Sequence, residues 1–160
     1  KLSTAKGNII SAEYHIEKTA NLIKEGNIIA IKNTSGYLLC CDASNAEVIN
    51  KLRERKNRPT KPFAILYPSL KLLKQQLKLT EVQEKTLTSP ESPIVIIPKT
   101  DFTGNLALNE LAPKLNQLGV MLPYSGILHY GHGWPSEKYD CFFAQRLSIY
   151  QSIFGKSRSF

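Results

Sequence analysis

Six cations and one acid fall within the fourteen residues from Lys51 to Ala64, KLRERKNRPTKPFA, and the run passes through two prolines into an apolar stretch. Pro59 restricts Arg58 to extended backbone, and Pro62 does the same for Lys61. Cations on a stiffened loop lose less conformational freedom on binding. Lys supplies a compact point charge and Arg a planar fork, so Lys56-x-Arg58, with Lys61 close behind, suits a phosphate or carboxylate approached from adjacent directions. The alternative reading of the same residues is a solvated helix end whose cations complement the carbonyl dipole.

Other chemistry-bearing patterns are sparse. There is no P-loop, no dinucleotide Gly fingerprint and no Ser/His/Asp signature in a familiar context, so a phosphate site has to be assembled from scattered cations and backbone amides. His129, His132, Asp140 and Cys141 lie close together in sequence but match no strong zinc spacing, and no metal site is expected. Of the three cysteines, Cys40 and Cys41 are neighbours in an apolar run and point to opposite faces if that run is a strand. They read as core filler in a reducing, cytoplasmic setting.

The formal net charge of +8 makes acidic partners plausible, among them nucleotides, nucleic acid and anionic metabolites, without choosing between them. Aromatic residues are not interleaved with the basic run, which argues against stacking platforms, although RNA gripped by charge alone stays open. No apolar stretch is long enough to span a bilayer and no signal-peptide pattern opens the chain, so no membrane partner is expected. The chain begins at Lys1, which suggests an excised domain or a trimmed chain.

The elements that position these residues follow from periodicity and punctuation. Ile16, Ala20 and Ile23 set a helix over Ala12 to Glu25, stopped by Gly26. A strand over Ile28 to Lys32, a polar turn through Gly36 and a second strand over Tyr37 to Cys41 come next, the last ending at Asp42. Ser44 and Glu47 form a capping-box pattern, and Ala46, Ile49, Leu52 and Arg53 carry the helix toward the basic loop. Phe63 to Tyr67 reads as a strand. Helices follow over Ser69 to Leu77 and Thr80 to Thr88, the second opened by a Thr80–Gln83 box. The β-branched run Pro93 to Ile97 is expected to be a strand buried on both faces, and Gly119 to Leu122 another, ended by Pro123. These elements lack strict βαβ regularity. The expected class is α/β (α+β), one twisted mixed β-sheet with helices packed on its faces.

Four segments in order, AIKNTSGYLLCCDASN, LRERKNRPTKPFAILYP, SPIVIIPK and LAPKLNQLGVMLPYSGILH, give the chain a family likeness from Ala12 to Leu128. It resembles the YrdC-like domain of the HypF-type carbamoyltransferase, which matures nickel-iron hydrogenases. The resemblance implies a sheet around a basic cavity that takes ATP with Mg2+ as its substrate complex. It further implies carbamoyl-AMP formation from carbamate, itself derived from carbamoyl phosphate. Lys56 and Arg58 match the family's Lys-x-Arg element and would contact phosphate, with Lys61 pointing the same way. Lys32, Ser35, Tyr37, Asp42, Pro123 and Tyr124 would line the substrate pocket, Asp42 either facing Mg2+ or merely capping a turn. Met121 and Lys61-Pro62-Phe63 favour the hydrogenase-maturation branch over the tRNA-modifying branch, which makes threonylcarbamoyl-AMP.

The chain also departs from the pattern. Where the maturation branch reads Lys-Gly-x-Gly-Gly-Phe-His, this sequence has Lys32, Asn33, Thr34, Ser35, Gly36, Tyr37 and Leu38. Nothing after His129 matches the family's Ser-x-Asn nucleotide element. Residues 1–128 are therefore read as a YrdC-like domain and residues 129–160 as a divergent or frame-shifted segment. Three functions follow. The first is a carbamoyl-adenylate-forming module working with other hydrogenase-maturation domains or proteins. The second is a threonylcarbamoyl-AMP synthase-like or double-stranded RNA-binding module, and the third a catalytically incomplete remnant.

Overall fold

The computed structural model describes residues 2–10, 15–33, 36–100, 102–124, 128 and the strand 142–146. Strands β1 (Leu2–Ser3) and β2 (Ile9–Ile10) pair antiparallel as a separate hairpin. The main sheet takes β3 (Ile29–Asn33), β4 (Gly36–Asp42), β5 (Ala64–Leu66), β6 (Val95–Pro98), β7 (Gln117–Met121) and β8 (Phe142–Arg146) in the order β3-β4-β8-β5-β7-β6. Strands β5 and β7 are parallel and every other pairing is antiparallel. Hence β4, β5 and β7 run one way while β3, β8 and β6 run the other. This is the mixed sheet expected from the sequence. Strand β8 lies beyond residue 128 and joins β4 to β5 in the middle of that sheet.

Alternation along β4 explains why the sheet is covered on both faces. Cys41 packs with Ile49, Leu52, Phe63, Ile65, Leu73, Leu87, Leu118 and Val120, contributed in part by α2 (Ala46–Arg55), α3 (Leu70–Gln76) and α4 (Glu81–Leu87). Leu111 of the short helix α5 (Leu108–Leu111) completes that layer. Leu38 and Cys40 point the other way, to Ile23 of α1 (His15–Lys24), Leu66 and Met121. Burial pushes both thiols up to about 12, Cys41 with added repulsion from Cys40 and Asp42, so neither ionises near neutrality.

Three expectations need correction. Strand β6 is not buried on both faces: Ile94 and Ile96 are each 54% exposed, whereas Ile97 is buried. It is the last strand of the sheet, paired only with β7 among the described strands, and Pro98 within it and Pro93 just before it are residues suited to an edge. Helix α2 is capped by Asn45 rather than Ser44, the Asn45 Oδ1 accepting from the Val48 amide at 3.1 Å. Ser44 is held elsewhere, donating from its amide (2.8 Å) and its hydroxyl (2.6 Å) to Asp42 Oδ1, so the Ser44–Glu47 box does not form. The Phe63–Tyr67 strand shortens to three residues. The Thr80–Gln83 box at α4 is present in both directions, at 2.9 and 3.3 Å. Helix α1 is described from His15, so the expected start at Ala12 lies outside the described residues. Among the described residues no helix is long and apolar enough to cross a membrane.

Candidate anion-binding site

The last turn of α2 delivers the chain into the basic loop through a tight reversal. Lys56 is the C-cap, Asn57 follows at φ 46° in the left-handed region, and the Asn57 and Arg58 amides donate back to the carbonyls of Glu54 and Arg53, each at 3.0 Å. Asn is among the few residues that adopt that conformation at low cost. Arg58 then turns its guanidinium onto its own loop, donating from Nη2 to the Pro62 carbonyl (2.7 Å) and from Nε to the Lys61 carbonyl (3.3 Å). The loop ends where the Phe63 amide donates to the Leu111 carbonyl of α5 at 2.9 Å.

Beneath this loop lies Arg53, only 7% exposed. Its Nε donates to the Glu110 carbonyl (2.7 Å), its Nη1 to the Arg58 (2.8 Å) and Lys61 (3.1 Å) carbonyls, and its Nη2 to the Leu111 carbonyl (3.1 Å). The guanidinium carbons of Arg53 and Arg58 stand 4.3 and 5.1 Å from the centroid of the buried Phe63 ring, within cation–π range of one aromatic. Lys99 adds a further cation at the end of α5, donating from Nζ to the Leu108 (3.0 Å) and Ala112 (2.8 Å) carbonyls.

Among the described residues no carboxylate reaches salt-bridge distance of Arg53, Lys56, Arg58 or Lys61; the Lys74–Glu84 ion pair lies elsewhere, between α3 and α4. Arg53, Lys56 and Arg58 have lowered pKa values, with burial as the first cause in each. Partial burial, and after it the neighbouring Arg58, holds the Lys56 ammonium below the usual lysine range. Burial likewise lowers Arg58, and lowers Arg53, where repulsion from Arg58 adds to the effect and attraction from Glu110 opposes it. Each of these shifts disfavours the cation in the protein alone, so an anion placed among them supplies the missing counter-charge.

The remaining expected site residues divide between the two ends of the sheet. Lys32 and Tyr37 are direct cross-strand partners at the β3–β4 turn, both exposed, at the end where the basic loop enters β5. Asp42 lies at the opposite end, level with Phe142, Leu66 and, one strand further, Met121. Asp42 is five steps along β4 from Tyr37, about 16 Å at ~3.3 Å per residue. The bonds from Ser44 to Asp42 form the turn cap that the sequence left as one of two roles. Pro123 and Tyr124 follow β7 at that same far end, and Tyr124 packs on the Ile23–Leu38–Cys40 cluster. Ser35 lies outside the described residues, as do His129, His132, Asp140 and Cys141. Among the described residues no group of three or more His, Cys, Asp or Glu side chains is placed to hold a metal ion.

Arg53 and Lys99 were not singled out as site residues from sequence. For Arg53 a signal existed. It falls four residues after Ile49 and one after Leu52, on the buried face of α2 that a solvated arginine avoids. Lys99 has no comparable local signal.

Comparison with known proteins then gives the site a context. The Sua5/YciO/YrdC family model, described as telomere recombination, matches residues 21–130. The carbamoyltransferase HypF of Synechocystis sp. is 38% identical over 107 residues, 67% of this chain and 14% of that protein. The crystal structure of T. kodakarensis HypF superposes with a TM-score of 0.77 at 37% identity, covering 89% of this chain and 18% of the other. A full-length HypF solved in a phosphate- and nucleotide-bound form has the same TM-score at 29% identity and the same coverage. The chain thus spans about a sixth of the HypF proteins it matches.

Proposed function

The chain belongs to the Sua5/YciO/YrdC family, and from that premise we propose that it is the nucleotide-handling module of a HypF-type carbamoyltransferase, binding ATP through the Lys56–Lys61 loop. The observation that carries this reading is the group of cations at the end of α2 with no carboxylate partner among the described residues. A triphosphate is a ligand of matching charge, and the loop is held by its own hydrogen bonds before any ligand arrives.

In the reaction, carbamate released from carbamoyl phosphate attacks the α-phosphorus of ATP through an oxygen, the bond to the bridging oxygen breaks, and pyrophosphate leaves with carbamoyl-AMP as product. Charge grows on the phosphate oxygens along that path, and preplaced Lys56, Arg58 and Lys61 stabilise it. Lys32 and Tyr37, at the same end of the sheet, take the nucleotide or acyl side of the pocket. Mg2+ would come as part of the substrate complex with the triphosphate. Transfer of the carbamoyl group belongs to other hydrogenase-maturation domains or proteins, since the relatives are several times longer. A cytoplasmic setting goes with these substrates.

The test is calorimetric titration of ATP with Mg2+ into the 160-residue chain and into its Lys56→Ala variant. Saturable binding that the variant loses supports the reading and leads to an assay of carbamate-dependent exchange between pyrophosphate and ATP. Absence of binding by the unaltered chain overturns it.

A further inference from the structure

The feature with the least ordinary explanation is the charge of Arg53. An arginine this deeply covered normally meets a carboxylate, because a buried charge without a partner is costly. Here all four acceptors are main-chain carbonyls, two at the end of α5 (Glu110, Leu111) and two in the basic loop (Arg58, Lys61). Carbonyl dipoles satisfy the donors but carry no net charge. The guanidinium is therefore solvated by the protein, and its positive charge beneath the loop is offset only in part, by the Glu110 carboxylate beyond salt-bridge distance. The α5 carbonyls that hold it also anchor the loop directly, since Leu111 accepts from both Arg53 and the Phe63 amide.

We propose that Arg53 is the positioning residue of the anion site, fixing the Arg58 and Lys61 main chain against α5 while keeping positive charge, with no salt-bridged carboxylate among the described residues, for the phosphates bound above it. The inference rests on the proposed ATP-binding reading and adds to it a residue that does not itself contact the ligand. Three of its features support a role beyond packing. Its donors bracket Pro59 on both sides, so they set the loop's width. It shares the Phe63 ring with Arg58, which aligns the two guanidinium groups over one apolar surface. It also repels Arg58 and is repelled by it, a conflict that a bound polyanion relieves.

The test compares two ligands. Inorganic pyrophosphate reads the phosphate grip, and adenosine reads the rest of the nucleotide pocket. Both are titrated into the unaltered chain and into the Arg53→Met, Arg53→Lys and Lys56→Ala variants, with thermal midpoints recorded alongside. The expected result for Arg53→Met is a loss of about tenfold or more in pyrophosphate affinity, with adenosine affinity unchanged. Arg53→Lys keeps the charge without the fork, and recovers part of the pyrophosphate affinity. Equal loss of both ligands in Arg53→Met and Arg53→Lys marks general damage to the fold and overturns the proposal. Unchanged pyrophosphate affinity in folded Arg53→Met, with Lys56→Ala impaired, overturns it while leaving the ATP-binding reading intact. Failure of the unaltered chain to bind pyrophosphate or ATP removes that reading, and this inference with it.

Discussion

Arg58 donates from Nη2 to the carbonyl oxygen of Pro62 at 2.7 Å, bridging its own loop across four residues. Lys56, two positions earlier, makes no hydrogen bond from Nζ to any described residue. The two halves of the Lys-x-Arg pair thus divide labour: one shapes the loop while presenting charge, the other presents charge alone.

Substitution separates those duties. Lys56→Ala is expected to stay within about 0.5 kcal/mol of the parent stability while weakening ATP binding severalfold or more. Arg58→Ala takes from the Pro62 carbonyl its Arg58 donor and leaves the Lys61 carbonyl to Arg53 alone, and is expected to cost about 1–3 kcal/mol in addition to lost binding. Urea unfolding beside calorimetry checks both. Equal destabilisation by the two changes contradicts this division.

The lowered Lys56 value sets a pH dependence. Folding disfavours its cation, so this group costs stability at neutral pH, and that cost fades as pH rises through its lowered folded value toward the ordinary one. Binding runs the other way, because a bound phosphate holds the proton in place. ATP affinity is expected to fall as pH rises and Lys56 deprotonates, before an ordinary lysine would. Lys56→Arg should stay level over the same rise in pH. Titration of Mg2+–ATP at stepped pH and constant ionic strength reads the difference, and coincident profiles for the two proteins count against the assignment.

Neighbouring residues of β6 should respond very differently to change. Ile96→Lys places charge in solvent and is expected to alter stability by about 0.5 kcal/mol or less, while Ile97→Ala empties a core position at about 2–5 kcal/mol. Chemical denaturation of the pair decides. A cost above about 2 kcal/mol for Ile96→Lys would show that this face is covered.

That same strand marks where sequence reading met its limit. A β-branched run between prolines reads alike whether both faces or one are covered; strand order decides, and strand order depends on distant residues. The cap of α2 sits at Asn45, one position beyond the Ser44 pattern, for a local reason. Ser44 and Asn45 are equally good caps, and Asp42 removes Ser44 from the competition through two hydrogen bonds. The Thr80–Gln83 box, free of such a competitor, was legible as written. The basic loop was also legible, because prolines and charge are local properties. What is not legible is the role of Arg53, two of whose four acceptors come from α5, more than fifty residues away.

Close approach predicts a further sensitivity at Gly104. A Cβ there would stand 2.6 Å from the Gln76 side chain and from Phe102 Cζ. Gln76 is buried and accepts from the Tyr67 hydroxyl at 3.0 Å, so it has little room to yield. Gly104→Ala is expected to cost about 1–3 kcal/mol, read as a lowered thermal midpoint. An unchanged midpoint would mean that the Phe102–Leu106 segment shifts freely.

The acceptors of Arg53 have an evolutionary corollary. Every residue keeps its carbonyl when its side chain is exchanged, so mutation at 58, 61, 110 or 111 cannot delete a partner of Arg53. The dependence runs in one direction. Substitution at those four positions therefore acts on Arg53 only indirectly, whereas substitution of Arg53 removes all four of these bonds at once.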